Sequence, residues 1–221
     1  MAENSYTEEN YLKAIYKLLE LNGSQVNTNA IAHKLQTKAA SVTDMLKKLA
    51  VKKLINYQKY KGVTLTEKGE KLALNIIRKH RLWEMFLVEK LNFKWDEVHD
   101  VAEQLEHVRS DKLVSEIDKL LGFPKVDPHG DPIPTSNGKI HSTKSSPLSL
   151  GVINNAYVMT GVVDHSPKFL QYLDSHNIML GCTITIDNIN DFDKSLEVKI
   201  NKRKGVFISA EVAKNILTNK K

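Results

Sequence analysis

Residues 96–109 run Asp-Glu-Val-His-Asp-Val-Ala-Glu-Gln-Leu-Glu-His-Val-Arg. At about 100° per residue on a helix, His99, Glu103, Glu106 and His107 collect within roughly a quarter-turn of one face. Val98, Val101, Ala102, Leu105 and Val108 fall on another side. Two imidazoles and two carboxylates presented together are suitable donors for a divalent first-row cation. His80 and Glu84, again four residues apart, offer a second pair on the preceding helix. The plain alternative is a solvated polar face with scattered histidines; two helices each bearing a His/Glu pair count against it. A further cluster lies in residues 123–134, where Pro124, Pro128, Pro132 and Pro134 with Gly130 impose a stiff, irregular path. That path can hold Asp127 and His129 where a helix could not, although stiff loops also serve simply as connectors.

The elements that must position these donors come from a 221-residue chain that is 41% hydrophobic and 26% charged. Such a composition suits two or three modules and excludes a disordered chain. No apolar run reaches the roughly 18–20 residues of a bilayer span, and the polar start MAENSYTEEN lacks the pattern of a secretory signal. Cys182 is the sole cysteine, which excludes an internal disulfide and a Cys-cluster metal site. A cytoplasmic protein without a membrane partner is expected. Charge is uneven: residues 1–74 carry +5, residues 75–135 carry −3 with four of the eight histidines, and residues 136–221 carry +4.

In the first segment, Thr7 is the expected cap of a helix with Glu8 and Glu9 in its first turn and Tyr11, Ala14, Ile15, Leu18 and Leu19 on its inner face. Asn22-Gly23 stops it. A short helix follows over Thr28–Leu35, with Thr28 as its expected cap. After a break at Gln36-Thr37 comes a third helix with Val42, Met45, Leu46 and Leu49 inward. Two short helices so joined make a helix-turn-helix. Residues 55–59 and 63–65 then read as a hairpin around Lys61-Gly62, which is a wing, and another helix begins at Glu67. If the pair binds DNA, its second helix leads into the major groove with Lys38, Ala39, Ala40, Ser41, Thr43 and Asp44. Lys47, Lys48 and the wing residues Lys59 and Lys61 would neutralise phosphates. No arginine precedes residue 78, so direct guanine readout is expected to be modest.

Beyond a Ser/Thr/Gly/Pro-rich linker at residues 136–148, short β-rich segments at 155–163, 183–189, 196–200 and 205–208 suggest a small barrel. Helices are expected at 167–176, capped by Ser166, and at 210–217. The expected fold is mainly α, with a β-hairpin wing and a small C-terminal β-barrel. Its expected modules are 1–74, 75–135 and 149–221. Leu82, Trp83, Met85, Phe86 and Leu87 exceed what two helices can hide, so a dimer surface is expected within residues 75–120, unless the barrel covers them.

Together these stretches resemble the diphtheria toxin repressor family of metal-dependent transcription regulators, especially its manganese transport regulator branch. The resemblance rests on Tyr11-Leu-Lys-Ala-Ile-Tyr, the winged helix-turn-helix through Leu65-Thr-Glu-Lys-Gly, and His80-Arg-Leu-Trp-Glu. It continues through Trp95-Asp-Glu-Val-His, Ala102-Glu-Gln-Leu-Glu-His-Val-Arg-Ser-Asp and Asp127-Pro-His-Gly-Asp-Pro-Ile-Pro. It implies a homodimer that binds double-stranded operator DNA when a divalent cation is present, and an SH3-like C-terminal domain. By position, one metal site would use Asn10, Glu103, Glu106 and His107. A second would use His80, Glu84 and His99, with Asp127, His129 and Asp164 as candidates and His165 able to substitute. Glu103 stands where the iron branch places sulfur, which points to Mn(II), with Fe(II) next. Asn10 replaces the usual aspartate or methionine with a neutral oxygen. Lys13 replaces a glutamate of some members, so a two-metal arrangement through that position is not expected.

On this reading, a cation held by Asn10 and by residues 103–107 would lock the DNA-binding module in place. Without it, repulsion between Glu103 and Glu106 would favour loosening. Two competing readings are a metal-independent winged-helix protein and, further off, a metal-dependent hydrolase; the latter would need a pocket and an open coordination position.

Overall fold

The computed structural model describes residues 4–58, 61–140, 144–201 and 203–221. The chain up to His80, with Glu103–Asp111 and Pro134–Ile140, forms one compact unit; Arg81–Ala102, Lys112–Ile133 and the C-terminal part form another. Helix α1 (Tyr6–Asn22) opens the first unit. Its cap is Ser5 rather than Thr7, because only Ser5 has a glutamate three residues on. Ser5 Oγ accepts from the Glu8 N–H, and Glu8 Oε2 accepts from the Ser5 N–H at 2.8 Å. Gly23, left-handed at φ 63°, closes the helix as expected. Helix α2 (Thr28–Lys34) is capped by Asn27, not Thr28, through a 2.8 Å bond from the Ala30 N–H. Helix α3 (Ala39–Val51) buries Val42, Leu46 and Leu49 against Leu12, Ile15 and Ile31 of the first two helices.

Strands β1 (Ile55–Gln58) and β2 (Gly62–Leu65) pair in antiparallel register, Ile55 opposite Leu65. Val63 also exchanges both backbone hydrogen bonds with Val26, which fastens this wing to the segment before α2. Helix α4 (Glu67–Leu91) continues for 25 residues, contributing its first part to one unit and its second to the other. The following helix, α5 (Val98–Leu105), is shorter than the sequence suggests, so Glu106 and His107 lie in the turn beyond it. Helix α6 (Asp111–Leu120) comes next.

The second unit contains an antiparallel sheet in the order β3-β8-β4-β5-β6-β7. Its strands are β3 (Ser146–Pro147), β4 (Ala156–Val162), β5 (Thr183–Ile189), β6 (Leu196–Ile200), β7 (Arg203–Ile208) and β8 (Ile216–Lys220). Register shifts in β4, β5 and β6 bend it around a core of Met159, Ile184, Ile186, Val198, Leu170 and Ile216. Helices α7 (Pro167–Ser175) and α8 (Ala210–Asn215) complete it. The sequence pattern extends helix over Ala210–Leu217; the chain instead turns into β8 at Ile216, which seats β-branched Ile216 in the core. The expected linker likewise ends early, as Ser146 and Pro147 pair with β8 and Leu148–Leu150 form a 3₁₀ turn. Of the five apolar residues, Leu82, Trp83 and Leu87 are buried within the chain itself, while Met85 and Phe86 are half-buried. The exposed apolar residues of the middle segment are Leu91, Leu113, Leu120 and Phe123.

Candidate metal centres and nucleic-acid surface

In the first unit, α1, α4 and the turn after α5 bring together Glu9, Lys13, His80, Glu103, Glu106 and His107. Glu106 is fully buried. Lys13 Nζ donates to Glu106 Oε1 and Oε2 at 2.6 and 2.7 Å and to Glu103 Oε1 at 2.6 Å. His80 Nδ1 lies 2.6 Å from Glu106 Oε2. His107 Nδ1 meets Glu9 Oε2 at 2.6 Å, and the ring stacks on Tyr6. An acceptor at Nδ1 places the proton there and leaves Nε2, 3.8 Å from Glu106 Oε1, as the donor lone pair. Glu9, rather than its neighbour Asn10, therefore faces the imidazole. Asn10 Oδ1 is buried and accepts no hydrogen bond. Burial pushes the Lys79 ammonium below its ordinary pKa, against the opposing pull of Glu9, Glu106 and Asp111. The expected repulsion between Glu103 and Glu106 is thus already offset by Lys13. Sequence reasoning missed Glu9, whose only signal was its place one residue before Asn10 on the same turn.

The second unit holds a separate cluster. Glu84 Oε1 lies 3.4 Å from His99 Nδ1, and Glu84 Oε2 lies 3.8 Å from His129 Nδ1. Glu84, Asp127 and His129 are all buried and offer donor atoms within 4.8 Å of one another. The loop is built for this. Asp127 Oδ1 accepts from the His129 and Asp131 N–H groups, and Arg81 donates to Asp131 and to the Pro132 carbonyl. His129 is fixed by its Nε2 on the Trp95 carbonyl at 2.8 Å and by its own carbonyl, which accepts from Val162 N–H. Nδ1, left without a hydrogen bond, faces the carboxylates. The Asp164 carboxylate accepts from Ser166 N–H and Oγ at the start of α7. His165 stacks on His129, ring centres 4.8 Å apart.

Burial and the charges of Asp131 and Glu84 push the Asp127 carboxyl up to about 7. Burial works to lower His129, but Glu84 and Asp127 outweigh it and raise it to about 9. Both shifts are upward, so the stability they contribute is full below the ordinary values near 4 and 6.5. That stability is lost as pH rises through 7 and then 9. The metal-free protein is therefore expected to melt lower at pH 8 than at pH 5, and the melting gain from added Mn(II) to grow over the same range, because cation and protons compete for these atoms. Calorimetric melts at the two pH values check this; a Mn(II) gain that shrinks with pH contradicts it.

The orphaned Asn10 Oδ1 and His129 Nδ1, with their carboxylate neighbours, fit a divalent cation of the oxygen- and nitrogen-binding class. Lys38, the residue that caps α3, and Ala39, Ala40, Ser41, Asp44, Lys47 and Lys48 on the helix are exposed. Thr43 is half-buried, its hydroxyl donating to the Ala39 carbonyl at 3.0 Å, and Lys47 pairs with Asp44 at 3.3 Å. Lys61 is exposed in the wing, while Lys59 lies outside the described residues.

A winged helix-turn-helix in one chain with buried carboxylate–imidazole clusters joins the parts of the metal-responsive, DNA-binding class. Comparison agrees. Residues 5–63 match the iron dependent repressor N-terminal DNA binding domain, 66–135 its metal binding and dimerisation domain, and 147–220 the FeoA domain. A solved manganese-dependent transcriptional repressor in complex with manganese is 34% identical over 97% of this chain and all of that one, with a TM-score of 0.84. The iron-dependent repressor IdeR of Mycobacterium tuberculosis is 35% identical over 58% of this chain and 55% of its own length. The transcriptional regulator MntR of Oceanobacillus iheyensis is 34% identical over 54% of this chain and 80% of its own. The chain spans about half the length of the mycobacterial relative. It belongs to the iron-dependent, diphtheria-toxin-type repressor family.

Proposed function

We propose that this chain is a metal-activated repressor of metal-ion homeostasis that binds double-stranded operator DNA as a homodimer in the cytoplasm, with Mn(II) its first candidate and Fe(II) the second. It is read as a regulator and not an enzyme, with residues 1–74 for DNA, 75–135 for metal and dimerisation, and 149–221 as an SH3-like domain. The observation that carries this is the tie, within one unit, between α1 of the DNA-binding segment and the buried Glu103–His107 turn. Glu103, Glu106, His107 Nε2 and Asn10 would hold one cation, with Glu9 orienting His107. Glu84, His99, Asp127 and His129 Nδ1 would hold another, with His165 beside them. A bound cation supplies positive charge that carboxylates from separate elements share. By joining α1 to the turn after α5, the ligands fix where α3 is presented, and in a dimer that sets the spacing of two recognition helices. The Lys13 bridge, present without any metal, favours one other reading, a metal-independent DNA-binding protein.

Selection of duplexes from a random pool, followed by anisotropy titration with Mn(II) or with chelator, separates the two. Tight binding only with metal is the expected result; equal affinity in both arms overturns the proposal. Substituting Lys48 by alanine is expected to weaken all duplexes alike and to lower the salt slope by about one for each phosphate that Lys48 neutralises. An unchanged slope would remove Lys48 from the interface.

A further inference from the structure

The first centre contains a cation of its own. Lys13 is 7% exposed, and its ammonium makes three short bonds to Glu103 and Glu106. Those are two of the oxygen-bearing side chains a divalent cation would use. The ammonium sits against three of the four oxygens of these carboxylates, so a divalent cation taking them would face its positive charge at close range and favour its departure. We infer that Lys13 is a tethered counter-cation, displaced when metal enters, that sets the metal threshold of the first centre.

The inference rests on the proposed metal-binding role and adds to it a residue that is not a ligand. Two physical consequences follow. In metal-free protein, Lys13 neutralises the buried Glu106 and holds α1 against the turn after α5, so this tie exists before metal arrives. In metal-bound protein, the same carboxylates exchange one cation for another. The net gain from metal is then the difference between the two, and is smaller than for a site of bare anions. Lys13 lies one helical turn from Glu9 and Asn10 on α1, so a modest swing of its flexible stem suffices to vacate the oxygens.

Lys13→Met keeps the length of the stem and removes its charge. In a His129→Ala background that silences the second centre, Mn(II) uptake followed by electron paramagnetic resonance is expected to tighten about tenfold or more, the scale on which groups touching ligands move metal affinity. The metal-free variant should melt several degrees lower and recover more than the parent on adding Mn(II). Lys13→Arg should restore the metal-free melting temperature. Uptake in Lys13→Met equal to or weaker than the parent's overturns the inference.

Should Lys13→Met fail to fold, the unmutated protein answers the question by nitrogen-15 NMR of its lysine ammonium groups. A slowly exchanging ammonium signal, absent in Lys13→Arg, is expected to vanish or shift when one equivalent of diamagnetic Cd(II) is added. A signal that stays put under saturation overturns the inference. These readouts involve no DNA, so a displaced ammonium alongside metal-indifferent DNA binding would sink the functional proposal and leave this inference standing.

Discussion

Replacing Glu106 by alanine is expected to cost about 3–5 kcal/mol of stability, the range for breaking a buried ion pair from one side. Glu106 is fully buried and takes short bonds from Lys13 and His80 at once. Its loss removes two of the three short bonds of the buried Lys13 ammonium, leaving it the half-buried Glu103, and takes a 2.6 Å partner from His80 Nδ1. It also removes the carboxylate facing His107 Nε2. Denaturant unfolding should therefore show a lowered midpoint, and Mn(II) should recover little of it. Glu106→Gln separates the two effects. The amide keeps shape and one acceptor, so it should lose less stability than alanine while still taking up metal poorly at the first centre. Stability of Glu106→Ala within 1 kcal/mol of the parent, below even the usual cost of one unsatisfied buried group, would contradict the geometry.

Gly130→Ala is expected to damage the second centre as severely, by a purely steric route. A Cβ at Gly130 would stand 2.1 Å from the Thr160 carbonyl oxygen and 2.4 Å from Gly161 Cα, both backbone atoms of β4, and its φ is +90°. Neither neighbour can yield without shifting the strand, so the loop must lift away. Strain and overpacking together should cost about 2–5 kcal/mol. Because His129 is pinned to the same strand through Val162 N–H, lifting the loop moves a donor, and Mn(II) affinity there should fall about 10–100-fold. Gly181 is the control: its φ is +80° but nothing lies within 4 Å, so alanine there should cost only about 1 kcal/mol and leave metal uptake alone. Equal effects at the two glycines, read by unfolding and Mn(II) uptake, would refute the close-approach account.

Much of the fold is visible in the sequence because periodicity reports burial directly. Val42, Leu46 and Leu49 announce α3, and alternating residues announce β4 to β6. Local chemistry is harder to place. Ser5 displaces Thr7 as cap because the reciprocal bond with Glu8 needs a spacing of three. Residues 210–217 carry a helical opening that runs into β-branched Ile216, and the strand it joins, β4, is distant in sequence. The donors are legible as residue types at suggestive spacings, yet their grouping is not. Glu106 meets both Lys13 and His80, and Glu9 meets His107, because small rotations along α4 and α1 decide which side chain reaches a turn far along the chain. That α5 stops at Leu105 has the same effect. In the sequence Lys13 stands only as a missing ligand; in the folded protein it is a charge already in place.

The claim beneath all of this is that metal and DNA are linked through one conformational state. Linkage demands reciprocity: if Mn(II) tightens the duplex by some factor, the duplex must tighten Mn(II) by the same factor. Free Mn(II), measured by electron paramagnetic resonance during titration of the unmutated protein with and without a selected duplex, tests this directly. The account predicts uptake at lower Mn(II) when DNA is present. Superimposable uptake curves would show that the clusters and the recognition helix work independently, contrary to the account.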